Sequence, residues 1–332
     1  NAAMTGSFSN IVGGISEKSI VTSETKWSIS VFGSGGRFQF TPNSTIAANS
    51  YYVKGVGPFK LDMGSPGPPP PPVYNNQYSF FFDNDHTSSP LPSDKQYFTR
   101  GNDPALNLTD DFTISIWAKI IVADPPDDGK LFDNATTSNG FVLYSDDSGS
   151  GAWNWEIRNS SGPSGANGKI IRVRSPFTPT SNTWTHLVGT FQNSTGTLYV
   201  DGVQVATQVF SSPINAGVGT SAVRIGASTG TSLSGINAVT GSLNNCSLWN
   251  VAFNQSEVDE LYNNGPQDLN EHTRADNGVA WWQLGGNGLS SSFNPGTSTW
   301  TMENSFNGAS SVSANMTSED MILASRVTDV PS

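Results

Sequence analysis

NTWTHLVGTFQNSTGTLYVDGVQVA, Asn182–Ala206, is the stretch that decides how this chain folds. Trp184–Phe191 is an apolar-rich run of strand character. It passes through the turn-forming Asn193–Gly196 into a second run, Leu198–Val200. Asp201–Gly202 then leads into Val203–Ala206. An Asp-Gly pair between two alternating apolar runs is a strong short-range hairpin signal, because the tight primed turn needs positive φ at both central residues. The core of the chain is therefore read as antiparallel strands joined by short turns.

The same pattern extends outwards. Phe112, Ile114, Ile116, Ala118 and Ile120 alternate with Thr113, Ser115, Trp117 and Lys119, the period of a strand with one apolar face. Phe141–Tyr144 and Trp153–Ile157 follow. Strands at spacings of about 8–12 residues, with turn chemistry between them, predict a sandwich of two antiparallel sheets. One helix is signalled. Asn254 and Glu257 have the spacing of a capping box, Val258, Leu261 and Tyr262 form an apolar stripe, and Gly265–Pro266 stops it. Beyond it, Val279–Leu284, Thr299–Met302 and Asp320–Ala324 are the expected ordered pieces.

Towards the N-terminus, residues 65–73 carry five consecutive prolines, which cannot enter a helix interior or a central strand. They predict a stiff polyproline II linker between a small β-rich arm, residues 1–64, and the main body, residues 74–332. In the arm, Lys26–Phe32, Arg37–Phe40 and Ser50–Val56 look β-like, and Val31–Phe40 reads as a Gly-rich hairpin. So short a segment buries little surface alone, so it is expected to dock on a partner or on sister subunits.

Composition narrows the class. Hydrophobic residues make up 35% and charged residues only 13%, so the chain is polar without being charged. Aromatics at 11%, including nine Trp, exclude a disordered acidic tail. A net charge of −11 with 16 scattered Lys and Arg argues against nucleic acid. The densest basic group, Lys169, Arg172 and Arg174 in KIIRVR, alternates as a solvated strand face would. No apolar run approaches a membrane span of roughly 18 residues, and no signal peptide is read. Cys246 is alone, so no intramolecular disulfide forms.

Three stretches in order carry a family resemblance: LNLTDDFTISIWAKI (Leu106–Ile120), the Asn182–Ala206 hairpin, and GSLNNCSLWNVAFNQSEVDELYNNGP (Gly241–Pro266). Together they resemble the laminin-G-like, concanavalin A-like jelly roll over roughly residues 74–266. The resemblance implies an all-β, antiparallel two-sheet jelly-roll sandwich, with a C-terminal β and loop extension. The tail, with GVAWWQLGG (Gly278–Gly286), NMTSED (Asn315–Asp320) and VTDVPS (Val327–Ser332), is similar to laminin-G-like proteins of tailed bacteriophages of aquatic bacteria. That similarity implies a virion surface protein such as a fibre, spike or head decoration.

Candidate chemistry is sparse. Sugar hydrolysis needs two facing carboxylates, and hydrolases on this fold usually carry Glu-x-Asp-x-x-Glu on one strand, which is absent here. Glu156 is a lone strand carboxylate, and Glu257–Glu260 reads as the solvated side of the helix. His86, His186 and His272 accompany no nucleophile motif. The resemblance implies that His186 packs and hydrogen-bonds in the central strand, and Cys246 reads as inert buried packing.

Calcium is a possible cofactor, because many members of the family hold it in loops at one edge of the sandwich. The pentraxin positions correspond to Ser138–Asn139 and Ser228–Gly230, which lack the carboxylates. The remaining metal candidates are Asp124, Asp127 and Asp128 together with Asp146 and Asp147; Asp83 and Asp85 are a further option. For glycan, aromatic platforms and amides are sought at Trp117, Trp153, Asn154 and Trp282. Trp117, on the non-apolar face of its strand, is the expected exposed ring.

The expectation is a non-enzymatic, homo-oligomeric structural protein on a virion surface or otherwise extracellular. It has other surface-assembly proteins as partners and host cell-surface glycan as a possible ligand, with neither nucleic acid nor membrane. A secreted adhesin or an extracellular filament subunit with the same domain is the alternative.

Overall fold

The computed structural model describes residues 4–9, 20–22, 39–42, 74, 76–84, 95–121, 129–146, 151–160, 169–210, 214–228, 237–262, 265–285 and 290–331. The chain divides into two compact units, Asn1–Val73 and Tyr74–Ser332. In the first, β1 (Met4–Ser9) pairs antiparallel with β2 (Ile20–Thr22) on one side and β3 (Gln39–Pro42) on the other. Only β3 overlaps an anticipated piece. Lys26–Phe32, Ser50–Val56 and the proline stretch lie outside the described residues.

The second unit runs through β4 (Ser79–Phe82), β5 (Tyr97–Arg100), β6 (Phe112–Ile120), β7 (Gly129–Asp133), β8 (Gly140–Ser145), β9 (Trp153–Arg158) and β10 (Lys169–Arg174). It continues with β11 (Thr185–Gln192), β12 (Thr195–Val200), β13 (Val203–Val209), β14 (Val223–Ile225), β15 (Gly241–Trp249) and the helix α1 (Gln255–Tyr262). Last come β16 (Gly278–Trp282), β17 (Ser291–Asn294), β18 (Thr299–Met302), β19 (Met316–Glu319) and β20 (Arg326–Val327). One sheet has eight strands in the order β13-β12-β11-β6-β15-β4-β20, with β16 also paired to β15. The other has nine, in the order β10-β9-β8-β7-β14-β5-β19-β18-β17. This is the antiparallel, two-sheet jelly-roll sandwich that the alternation predicts.

Turn chemistry sets the register. Asp201 (φ 49) and Gly202 (φ 78) make the primed turn between β12 and β13, and Asn193 (φ 48) and Ser194 (φ 63) make another between β11 and β12. The apolar rows of β6 and β11, side by side in one sheet, then face that of β9 in the other. Trp155 lies so close to β11 that a Cβ at Gly189 would stand 2.6 Å from its ring, so only glycine fits there. The Trp155 indole N–H donates to Thr190 O at 2.9 Å, which keeps a buried donor satisfied. Phe112, Phe141 and Phe191 surround it, with Phe112 and Phe141 centroids 4.6 Å apart. Burying each such ring contributes roughly 3 kcal/mol.

The tail is woven into both sheets instead of following them. β16 pairs with β15, β20 pairs with β4, and β19 pairs with β5, so β17–β19 extend the nine-stranded sheet. Trp282 and Trp300 fill the core between them, and their indole N–H groups donate to Ala314 O and Ile322 O. Trp300 meets Phe80 edge-on at 5.0 Å. Without the tail, β4 and β5 would each lose a neighbouring strand.

A second apolar layer covers the outside of the eight-stranded sheet. Val188, Trp249, Val258, Leu261, Trp281 and Phe306 form it, with α1 as its lid. The capping box is in place: Glu257 N–H donates to Asn254 Oδ1 (3.1 Å) and Asn254 N–H to the Glu257 carboxylate (2.8 Å). Glu257 is buried and also paired with Arg274 at 2.5 Å, so it does not belong to the solvated side on which the sequence placed it.

Candidate functional site

With one face of the eight-stranded sheet in the core and the other largely covered by that second layer, polar and charged side chains concentrate on the outer side of the nine-stranded sheet. Alternation puts them there. In β9, Trp153, Trp155 and Ile157 point inwards, so Asn154, Glu156 and Arg158 point out; in β10, Ile171 and Val173 point in, and Arg172 and Arg174 point out. Pairing then aligns one residue from each strand in a single row across the whole sheet: Arg172, Glu156, Val142, Asp133, Arg224, Thr99, Thr317, Thr301 and Ser292.

The half built on β7–β10 is an ion-pair network. Glu156 is fully buried, accepts from the Tyr144 hydroxyl at 3.2 Å and holds Arg158 Nε at 2.6 Å. Asp146 binds both Arg172 (3.0 Å) and Arg174 (2.6 Å). Arg172 Nε also donates to Asn154 Oδ1 at 3.3 Å, and Lys130 Nζ stands 3.5 Å over the centre of the Tyr144 ring. Burial works against the Arg172 cation, but Tyr144, Asp146 and Glu156 outweigh it and hold its pKa above the ordinary guanidinium value. Charges out of water need partners, and these have them.

The other half is a shelf of hydroxyls beside a stacked cation. Arg224 lies 4.4 Å over the Tyr97 ring, its Nη1 donates to Ser228 O, and its buried Nε has no partner. Tyr97 is held above the ordinary phenol pKa, by burial first, with Arg224 opposing and Glu319 and Asp320 adding to it. Thr99, Thr317, Thr301 and Ser292 continue the line at the strand spacing of about 4.8 Å.

Of the glycan and metal candidates read from sequence, Asn154 and Asp146 are the described ones that join this face. Trp153 and Trp282 are core rings. Trp117, expected as the exposed platform, has 5% of its surface exposed. It is stacked on His186 (4.8 Å) and on Tyr262 of α1 (5.7 Å), so it offers no open ring to a ligand. Asp124, Asp127, Asp128, Asp147 and Asp85 lie outside the described residues, and Asp83 is exposed at the end of β4.

The described donors do not fit calcium. Asp146 faces two guanidinium groups, and among the described residues no group of three or more His, Cys, Asp or Glu is placed to hold a metal. A cleft lined by Ile120, Gly129, Ser145, Pro179 and Val239 also reaches Asp146, the only charged group in its wall among the described residues.

Sequence reasoning passed over Glu156, Arg158 and Arg224 as members of a site. Their signal was present: each sits at the polar phase of an alternating strand. Nothing in the sequence said that those strands are neighbours.

Comparison with known proteins agrees with this architecture. A family model, Laminin_G_3, described as the concanavalin A-like lectin/glucanases superfamily, matches residues 92–259, half of the chain. No curated protein matches the sequence. Among solved structures, a candidate carbohydrate binding protein of Bacteroides ovatus ATCC 8483 is similar over 89% of this chain and 68% of its own, with 14% identity and a TM-score of 0.53. The heptameric SAP-like pentraxin of Limulus polyphemus covers 56% of this chain and 82% of its own, at 16% identity and TM-score 0.40. The sialidase module CBM40 of Ruminococcus gnavus, bound to α2,3-sialyllactose, covers 50% and 93%, at 16% and 0.37. At these identities the likeness is one of fold.

Proposed function

We propose that this chain, which belongs to the concanavalin A-like lectin/glucanases superfamily, is a non-enzymatic surface protein that holds glycan on the outer face of its nine-stranded sheet. The observation that carries the reading is the stack of Arg224 on Tyr97 beside the row of hydroxyls that begins at Thr99. A half-buried ring with a cation stacked on it and a line of hydroxyls are groups that grip a sugar's faces and oxygens. The Bacteroides protein of similar fold is described as carbohydrate binding, in keeping with this. Of the carboxylates on the face, Asp146 and Glu156 are engaged by arginines, which supports holding over hydrolysis.

The finer placement is a virion, as fibre, spike or head decoration, with other surface-assembly proteins as partners and residues 1–64 as the anchoring module. It is supported by the resemblance of Gly278–Gly286, Asn315–Asp320 and Val327–Ser332 to phage proteins.

A glycan array with and without EDTA tests the binding. Calcium-independent signals that fall at least tenfold in Arg224→Ala and Tyr97→Ala, with an unchanged melting temperature, are expected. Signals unaffected by both substitutions would refute the assignment. Mass spectrometry of purified particles tests the placement, and recovery only in the secreted fraction would favour an adhesin.

A further inference from the structure

The cleft beside Asp146 opens where the two sheets part. In the eight-stranded sheet Ile120 ends β6 and Thr240 stands just before β15; in the nine-stranded sheet Gly129 opens β7 and pairs with Ser145 at the end of β8. The Ile121 main-chain N–H donates to Thr240 O at 2.9 Å, which ties one wall together. Glycine keeps the space open: a Cβ at Gly129 would stand 2.7 Å from Ser145 Oγ. The volume is about 30 Å³, two to three times the roughly 10–15 Å³ that one water needs. That admits a group of a few heavy atoms, not a sugar ring.

The wall combines three kinds of surface. Ile121, Pro179 and Val239 are apolar, and Ile121 is 38% exposed. Thr240 and Ser145 add two hydroxyls. The Thr240 hydroxyl is buried without a hydrogen-bond partner, although buried polar groups nearly always have one. Asp146 supplies the charge, and Arg172 and Arg174 already hold it. A cation therefore gains no open carboxylate here, and an all-apolar group would leave the Thr240 hydroxyl unsatisfied.

We propose that this cleft is a second binding site, which seats the acetamido group of an N-acetylated sugar. That group is small and neutral. Its methyl lies against Ile121, Pro179 and Val239, its carbonyl oxygen accepts from one hydroxyl of the wall and its N–H donates to the other, since a hydroxyl serves in either role. A hydroxymethyl arm would bring no methyl to the apolar side. A sugar is favoured over an acetylated lysine because Arg172, held on the same Asp146, has 35% of its side chain exposed, and a guanidinium beyond the mouth suits ring hydroxyls better than an alkyl stem. The inference rests on the reading that this chain holds glycan, but on neither Arg224 nor Tyr97.

The test is saturation-transfer difference NMR on the full chain with N-acetylglucosamine at roughly 10 mM, well above a millimolar Kd. The acetyl methyl is expected to take up the most saturation. Glucose, the same ring without the acetamido group, is expected to take up less by about fivefold or more, the worth of one hydrogen bond. Thr240→Val keeps the volume and removes the hydroxyl, and Gly129→Ala crowds Ser145 Oγ. Each is expected to lower the methyl signal by about fivefold, with the melting temperature kept.

An equal signal from glucose, or a methyl signal that survives both substitutions, overturns the proposal. So does a signal confined to Nε-acetyl-lysine, which would make an acetylated protein the occupant. A methyl signal lost in Arg224→Ala and kept in Thr240→Val places the sugar on the shelf of the nine-stranded sheet and overturns this inference alone. The reverse pattern supports the cleft and removes only the assignment to Arg224 and Tyr97.

Discussion

The Ser115 hydroxyl lies 2.8 Å from Nε2 of His186, inside the outer layer of the eight-stranded sheet. The imidazole packs against both Trp117 (4.8 Å) and Tyr262 (5.7 Å), and its Nδ1 has no partner. A serine beside a histidine invites a catalytic reading. Burial of both groups and the absence of a third group orienting the ring make it a packing contact that tolerates only neutral imidazole.

Acid should therefore weaken the fold through His186. Its pKa is lowered from 6.5 to about 3 by burial. Between those values the unfolded chain holds a proton that the folded chain does not, so stability is full above pH 6.5 and falls as pH drops towards 3. From pH 7 to pH 4 the loss is about 3 kcal/mol from this one group. His186→Gln removes the titration, and urea melts at the two pH values should show a smaller acid loss than in the natural chain. Equal losses would exclude His186 as the cause.

Gly202 should be irreplaceable on two counts. Its φ is 78, and an added Cβ would stand 2.9 Å from the Tyr262 ring. Gly202→Ala is expected to cost about 1–2 kcal/mol, from the left-handed backbone and the displaced ring together. Chemical denaturation measures it, and a neutral substitution would mean that the turn is not of the primed type.

The Glu156–Arg158 pair should be dearer to break than to remove. Glu156→Gln leaves two guanidinium groups facing an uncharged amide, at a cost of about 2–4 kcal/mol once the partial exposure of Arg158 is allowed for. Glu156→Gln combined with Arg158→Met should recover part of that loss. A double-mutant cycle gives the coupling, and strict additivity would show that the pair does not interact.

Chelation should leave the sandwich unaffected. Because Asp146 is held by Arg172 and Arg174, EDTA is expected to move the melting temperature by less than about 1 °C, far below what a bound ion at saturating concentration contributes. A fall of several degrees, restored by calcium, would revive Asp124, Asp127, Asp128 and Asp147 as ligands.

Much of the fold was legible locally. The alternation from Phe112 to Ile120 marks β6, Asp201–Gly202 marks a hairpin, and Asn254 with Glu257 marks the start of α1. All three arise between residues close in the chain, where strand period, positive φ and capping geometry leave a direct imprint on residue type. The tertiary structure alone decided which strands become neighbours and which outer face is covered. Alternation says that Trp117 and Ile116 point opposite ways; it does not say that Tyr262, far along the chain, will lie over Trp117. Nor does it say that β19 will pair with β5, or that Arg224 will share a row with Glu156 and Thr317. Those partnerships depend on how the whole chain closes loops and excludes water, an energy spread over many distant contacts and written in no single stretch of residues.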